Sequence, residues 1–447
     1  MIYNIINDII KNLNHFLFLI QTIYIITSTY LKFLFNFNGK YNDKNNNFLM
    51  ITEITNKLSK KNIFFIKIFQ AIANNNNLCN KDLFNYFIEF TDNVSYTQDD
   101  IDNKALHEIV QYAHDNNEIL EIENDKPIKA GIMALVFKGK LNNKEVVIKL
   151  LRKNSREKFL KSIDDIGFIV TCSKYLPFIR DLNLNDLFHE NKNIMIKQLD
   201  FNSEVDNINL FYKKFKDFPN IIIPYVYSSY TEYNNNVIIM DYINGKRIEE
   251  IDDYDKPFYA KILAKFNCKS VFYDAIYHAD VHSGNILFVK NKKENNDNEY
   301  LIGIIDFGII GKMSREEQNL FFEFFKSLVT NNYEQISLFI VENLIEPLHN
   351  TSCKKLKENE KLAILDGISG IFKKTLDENH KLFGGDEIYN SNKIFRKFGY
   401  QFSKFFCRIE LAMAISENVC NCLSHDKSYF DTMLEVFKES FPSIDFF

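Results

Sequence analysis

The sequence predicts an α+β protein: a small sheet-bearing lobe followed by a larger helical lobe, with a helical extension in front. Three observations carry this. From Pro127 to Leu151 the pattern is strand-like, with Ala134-Leu135-Val136-Phe137 and Glu145-Val146-Val147-Ile148 flanking the turn Leu141-Asn142-Asn143-Lys144. Helical spacing returns over Phe201 to Phe215, and beyond Gly245 the chain reads as mostly helical. Ahead of the strands, Leu49 to Ala73 carries apolar residues at helical spacing. With 447 residues, 46% of them hydrophobic and 25% charged, the chain suits two or three packed units with a real interior.

The elements divide as follows. Residues 1–40 are a hydrophobic N-terminal segment and a candidate membrane anchor. Asn12 to Leu31 contains no Asp, Glu, Lys or Arg, long enough to span a bilayer. Asn12, Asn14, His15, Gln21, Thr22, Thr27, Ser28 and Thr29 dilute its hydrophobicity, so two readings stand: membrane anchoring or surface association, and a helix packed on the protein body. A secretory leader is a poor match, because Asp8 lies in it and no Ala-x-Ala site follows. A mitochondrial leader fits no better, since the first arginine is Arg152. Residues 41–125 form the helical extension, 126–245 the small lobe with its sheet and helix, and 246–447 the helical lobe. Short strands are expected at Ile221 to Ile223 and Val237 to Tyr242. Asn- and Lys-rich loops are expected at Asn42 to Asn47, Asn74 to Asn77, Asn234 to Asn236 and Lys290 to Asn298.

Composition excludes several classes. A net charge of −5 argues against nucleic acid as a partner. Seven scattered cysteines with no C-x-x-C pair read as reduced thiols in a chain that faces the cytosol and is not secreted, rather than as a disulfide framework or zinc site.

The chemistry concentrates in His278-Ala279-Asp280-Val281-His282-Ser283-Gly284-Asn285. An Asp followed five residues later by Asn in a Gly-containing loop is the spacing of a kinase catalytic loop, where the Asp orients the attacking hydroxyl and the Asn ligates magnesium. Ile286-Leu287-Phe288 then leads into a strand, and Ile304-Ile305-Asp306-Phe307-Gly308 delivers a second carboxylate suited to Mg²⁺. Lys149 closes the strand Val146-Val147-Ile148-Lys149, from which its ammonium can reach the α- and β-phosphates of ATP. Its expected partner is a Glu on the next helix, Glu204. His278 and His282 are read as braces of the loop. After Gly308 the chain runs directly through Ile309 to Ser314 into a helix near Arg315. There is no long activation segment and no Ala-Pro-Glu anchor, which argues against a signalling protein kinase.

With these residues in place, the segments Gln198 to Glu204, Ile239 to Gly245, His278 to Asn285 and Ile305 to Gly311 resemble the UbiB/aarF-domain atypical kinases, over about residues 50 to 345. The resemblance implies a two-lobe protein-kinase-like fold with ATP between the lobes and an N-terminal helical extension over the active site. It also implies a connection to ubiquinone and other isoprenoid-lipid metabolism at membranes, with a membrane lipid or quinone precursor as partner. The family's Lys-x-Gly-Gln motif corresponds to Lys67, Phe69 and Gln70, with Phe in place of Gly. Its Glu-x-Asp motif appears as Gln198-Leu199-Asp200, leaving Asp200 as the metal-binding carboxylate. Its Ala-rich phosphate loop appears as Pro127 to Val136, with Ala130, Gly131, Ala134 and Val136 as nucleotide contacts and Gly131 where Ala is usual. Adenine is expected against Met240, Asp241 and Ile243. The expected function is a Mg-ATP-dependent phosphotransferase or ATPase. A nucleotide-binding pseudokinase scaffold, and a small-molecule phosphotransferase of the aminoglycoside or choline kinase kind, remain open alternatives.

Overall fold

Asn142 and Asn143 both take left-handed backbone angles (φ 49° and 67°), the conformation a tight two-residue turn demands and asparagine tolerates. That turn joins β3 (Ala134–Leu141) to β4 (Lys144–Leu151) in the computed structural model of the chain. The structure describes residues 2–36, 44–62, 64–66, 86, 94–173, 188, 192, 196–292, 298–329, 332–348, 356–374, 385–424, 427 and 429–441. The chain divides into two compact units, one of Met1–Val205 with Val226–Tyr242 and one of Asp206–Tyr225 with Ile243–Phe447.

The first unit is built on an antiparallel sheet of order β1 (Leu120–Ile122), β3, β4, β6 (Val237–Asp241), with β2 (Lys129–Ala130) also pairing β3. One face of the sheet offers Leu135, Phe137, Val146, Ile148, Val237 and Ile239, all buried against Ala105, Ile109 and Ala113 of the helix Asn103–Asp115. Alternation along β3 puts every second side chain into this core, as a half-buried strand requires. At Gly139 the strands crowd: a Cβ there would lie 2.4 Å from the Glu121 carbonyl, so only glycine lets β1 pair with β3.

Three further helices of this unit share a second core. These are α1 (Ile2–Asn36), α2 (Lys44–Lys61) and the helix Ser155–Ser173, whose Phe18, Leu58, Phe159, Ile163 and Ile166 are buried together. Asn45 to Asn47 are part of α2, although their sequence marks a loop; a helical first turn accepts asparagine where packing further along the helix holds it. Asn62 interrupts the helical run expected over Leu49 to Ala73, its side chain accepting the Phe64 N–H at 2.8 Å, and Phe64 to Ile66 are helical again. Residues 67–85, with Lys67, Phe69 and Gln70 and the Asn74 to Asn77 stretch, lie outside the described residues.

Among the described side chains of α1, those that are buried are polar but for Phe18. His15, Thr22 and Thr29 face the unit and are buried, while Leu13, Phe16, Leu17, Ile20, Ile23 and Tyr24 are exposed. The polar seam is tied down by Lys11–Asp164 (2.9 Å), His15–Asp165 (2.7 Å), Lys32–Glu53 (2.8 Å) and a Lys57–Thr29 bond (3.0 Å). The stretch Ile10–Phe35 contains an 18-residue window of mean hydropathy 1.4 and is, by length and composition, sufficient to cross a membrane.

The second unit is not purely helical. Beside the helices Lys256–Cys268, Arg315–Val329, Tyr333–Asn343, Glu358–Lys373, Gly385–Arg396, Lys404–Leu423 and Tyr429–Ser440 it holds, among the described residues, three small sheets. Strand β5 (Ile221–Ile222) pairs in parallel with β9 (Asn298–Ile304), which pairs antiparallel with β8 (Ile286–Lys292). Residues 206–225 therefore group with this unit, whereas their sequence position places them in the small lobe. Strand β7 (Ile276–His278) pairs with β10 (Ile310–Lys312), and β11 (Ile345–Pro347) with β12 (Tyr400–Phe402).

Candidate functional site

In the first unit, β4 brings Lys149 opposite Val136 on one side and Ile238 on the other. Its Nζ stands 2.6 Å from Glu204, in the first turn of the helix Phe201–Phe215. The Lys149 side chain is 13% exposed and that of Glu204 4%, so the pair is shielded from the solvent that would otherwise weaken it. Asp200 precedes this helix, and its carboxylate accepts the Asn202 N–H at 3.2 Å, an N-terminal cap. Between β2 and β3 the chain makes a tight turn in which the Gly131 N–H reaches the Ala134 carbonyl at 2.9 Å. Ala130 and Ala134 are buried at its two ends. Met240 is buried in β6, while Asp241 is engaged with Lys144 (2.7 Å) and the Tyr227 hydroxyl (3.1 Å).

In the second unit, His278 organises the loop that runs to Asn285. Its Nε2 contacts the Asp306 carbonyl at 2.5 Å, and its Nδ1 accepts the Asp280 N–H at 3.1 Å. That pattern assigns the proton to Nε2 and leaves the ring neutral. Burial lowers the imidazole pKa from its ordinary value, against the opposing pull of the Asp306 carbonyl and the Asp280 and Asp306 carboxylates. One ring thereby sets the spacing of both aspartates' backbones. Asn285, buried, donates Nδ2 to the Asp280 carbonyl at 3.0 Å, which leaves its side-chain oxygen as the donor suited to a cation. Asp306 accepts the Gly308 N–H at 3.0 Å, so the Asp-Phe-Gly turn orients its own carboxylate. The Asp280 carboxylate accepts no hydrogen bond among the described residues. One carboxylate with one amide oxygen is a donor set that fits magnesium, which keeps water and phosphate oxygens in its shell.

The sequence-derived residues thus form two groups: Lys149 with Glu204 beside the Gly131 turn, and Asp280, Asn285 and Asp306 around His278. Asp200 lies with the first group, and Ile243 is buried in the second unit, packed over Gly303. Lys67 and Gln70 fall outside the described residues.

Three residues escape sequence reading. Asn207 donates to the Phe307 carbonyl at 2.9 Å, and Arg247 donates Nη1 to the Gly284 carbonyl at 2.6 Å, pinning the two loops from outside. Arg152 donates to the Gly131 carbonyl. Only Arg247 carried a signal, a lone arginine just after the Asn244-Gly245 turn. Phe307, wholly buried, packs on Phe211 (5.1 Å between centroids) and His278 (5.2 Å).

An antiparallel sheet with a lysine–glutamate pair, followed by a helical unit carrying His-x-Asp, Asn and Asp-Phe-Gly loops, defines a protein-kinase-like fold. The chain belongs to the ABC1 atypical kinase-like domain family, the domain of the UbiB/aarF proteins, which it matches over residues 92–339. Among solved structures it is similar to Rv3197 of Mycobacterium tuberculosis in complex with erythromycin: 15% identity over 75% of this chain and 82% of that one, TM-score 0.48. It is also similar to the Rio2 kinase of Chaetomium thermophilum in its ADP/Mg²⁺-phosphoaspartate complex: 12% identity over 66% of this chain and 74% of that one, TM-score 0.32.

Proposed function

We propose that this chain is a UbiB-type atypical kinase or ATPase that binds Mg-ATP and works at a membrane surface in isoprenoid-lipid, ubiquinone-like metabolism. The observation that carries the reading is the hydrogen-bonded assembly of Asp280, Asn285 and Asp306 around the buried neutral His278. A neutral imidazole that binds the backbones of two aspartates leaves both carboxylates unspent by it, for a cation and a nucleophile. In this reading Asp306 and the Asn285 oxygen hold magnesium, which when bound supplies charge neutralisation to the phosphates. Lys149, kept in place by Glu204, presents its ammonium to the α- and β-phosphates, and Asp280 orients a water or substrate hydroxyl. Ala130, Gly131, Ala134 and Val136 contribute the loop over the phosphates, and Met240 to Ile243 the edge that meets adenine. Asp200 is a further candidate ligand for the cation.

The membrane part of the proposal rests on α1. Its polar side is tied to the protein body by the Lys11–Asp164 and Lys32–Glu53 ion pairs and its apolar side is exposed, the arrangement of a helix that lies in the bilayer interface rather than across it. Residues 1–61 carry seven lysines against three acidic residues, a net +4 in a chain of −5, which favours a lipid surface with anionic headgroups.

A thermal-shift titration with Mg-ATP tests the nucleotide site. The expected result is a magnesium-dependent rise in Tm, about 2.7 kcal/mol of added stability at a hundred times Kd, that disappears in Asp306→Asn. No rise with folded wild-type protein refutes the proposal, and a rise without hydrolysis favours the scaffold alternative.

A further inference from the structure

Arg152 follows β4 three residues after Lys149 and is 8% exposed. Every group of its guanidinium is engaged. Nε and Nη2 donate to the Gly131 carbonyl at 3.0 and 2.7 Å, Nη2 also to the Val94 carbonyl at 3.1 Å, and Nη1 to the Ser95 carbonyl at 3.0 Å. Asp100 stands 3.4 Å from Nη1 and neutralises the charge. Main-chain bonds close the same ring: Arg152 N–H to Met133, Lys153 N–H to Asp100 and Val94 N–H to Ala130, at 2.8–2.9 Å. The turn Ala130–Met133 and the segment Val94–Asp100 thus share one hydrogen-bonded frame with Arg152 at its centre.

The frame has a directional consequence. In a trans peptide the carbonyl of Gly131 and the N–H of Ile132 point to opposite sides. Two guanidinium bonds to that carbonyl therefore aim the Ile132 N–H away from Arg152. Among the described residues neither the Ile132 nor the Met133 N–H meets a backbone acceptor. Two unspent, adjacent main-chain donors in a fixed turn form a cradle for an anion.

We propose that Arg152 is the positioning residue of the phosphate loop: it holds the Gly131 carbonyl so that the Ile132 and Met133 N–H groups are set to receive nucleotide phosphate, and it ties that geometry to Val94–Asp100. The proposal rests on the Mg-ATP reading above and adds to it the residue that shapes the loop. Lysine cannot replace this arginine, because one ammonium cannot serve three carbonyls in the geometry of a planar fork. Because Val94, Ser95 and Asp100 hang on the same guanidinium, displacement of that segment alters the loop, and nucleotide binding orders the segment in return.

The test measures Kd for Mg-ATP and for adenosine, which lacks phosphate, on full-length wild type and Arg152→Lys, with the Tm of each. The expected result is a loss of Mg-ATP affinity of about tenfold, the worth of one to two hydrogen bonds, with adenosine affinity changed less than about twofold. Equal changes for both ligands, or no change in either, overturn the proposal and leave Arg152 a purely structural tie. If the wild type binds neither ligand, the Mg-ATP reading itself falls and this inference with it. If Arg152→Lys does not fold, Asp100→Asn, which loosens one arm of the frame, takes its place. A smaller loss confined to Mg-ATP then supports the proposal, and an unchanged ratio of the two affinities overturns it.

Discussion

Glu204 is 3% exposed beside Lys149, and a carboxylate so placed is stable only while its partner remains charged and close. Removing one member of such a pair is far more costly than removing both. Glu204→Gln is therefore expected to lose about 2–4 kcal/mol in urea unfolding. The double variant Lys149→Met/Glu204→Leu is expected to regain most of that stability, because apolar groups of similar volume tolerate the site. The same double variant is expected to show no Mg-ATP shift in Tm. A nucleotide shift that survives in it would exclude Lys149 as a phosphate ligand. Arg152 belongs to the same scale. Burial lowers its pKa, opposed by Asp100, whose own carboxyl burial would raise but the Thr97 N–H, Arg152 and Lys158 hold below the usual range. The acid thus stays ionised where the arginine needs it.

Between elements, the helix Tyr429–Ser440 packs along the helix Lys256–Cys268, and charges at their edges register the pair. Lys261 reaches Glu435 and Glu439, each at 2.8 Å, and Lys427 also bonds Glu435. Hydrogen bonds from Lys261 and then Lys427 pull the Glu435 pKa from 4.5 to about 2. A carboxyl with a depressed folded-state pKa contributes stability that is present above pH 4.5 and lost as pH falls toward 2. Because both partners are well exposed, solvent screening keeps the contribution at pH 7 under about 1 kcal/mol. Glu435→Gln is expected to flatten the stability-versus-pH curve between those limits in acid titrations followed by circular dichroism, with little change at neutral pH. An unchanged acid limb would show that the pair is broken in solution. The start of the helix Arg315–Val329 shows a local device of the same kind. Ser314 and Glu317 cap each other's N–H groups at 3.1 and 2.7 Å, so the chain turns into helix soon after Asp-Phe-Gly.

For the whole molecule, α1 leaves Leu13, Phe16, Leu17, Ile20, Ile23 and Tyr24 exposed along one strip. Soluble monomers seldom leave so many large side chains in one strip uncovered. Full-length protein is expected to float with vesicles, more strongly when these contain anionic lipid. Phe16→Ser/Ile20→Ser/Ile23→Ser alters three side chains that are 47–52% exposed and should fold normally. Its partition coefficient is expected to fall at least about a hundredfold. Equal flotation of variant and wild type would remove α1 as the membrane contact.

Local physics made much of this protein legible from its residues. Asn142-Asn143 dictated a hairpin because few residues accept left-handed angles twice in succession. The register of that hairpin put Lys149 at the end of a strand. The spacing from His278 to Asn285, and Asp306-Phe307-Gly308 after a buried strand, marked the second group, since those residue types at those separations are the pattern of kinase loops. What folding alone decided depends on residues far apart in the chain. Strand β5 is two residues long and carries no signal that its partner is β9, some 80 residues later. Arg152, Asn207 and Arg247 each act by donating to a carbonyl, a group every residue possesses, so even where a turn marks the donor, as before Arg247, nothing in the sequence names its acceptor. In α1 the composition determined a long apolar helix, but not which side would be covered. Ion pairs to Asp164 and Glu53 and the His15 contact with Asp165 turned its polar seam inward, and only the packed structure brings those carboxylates to it.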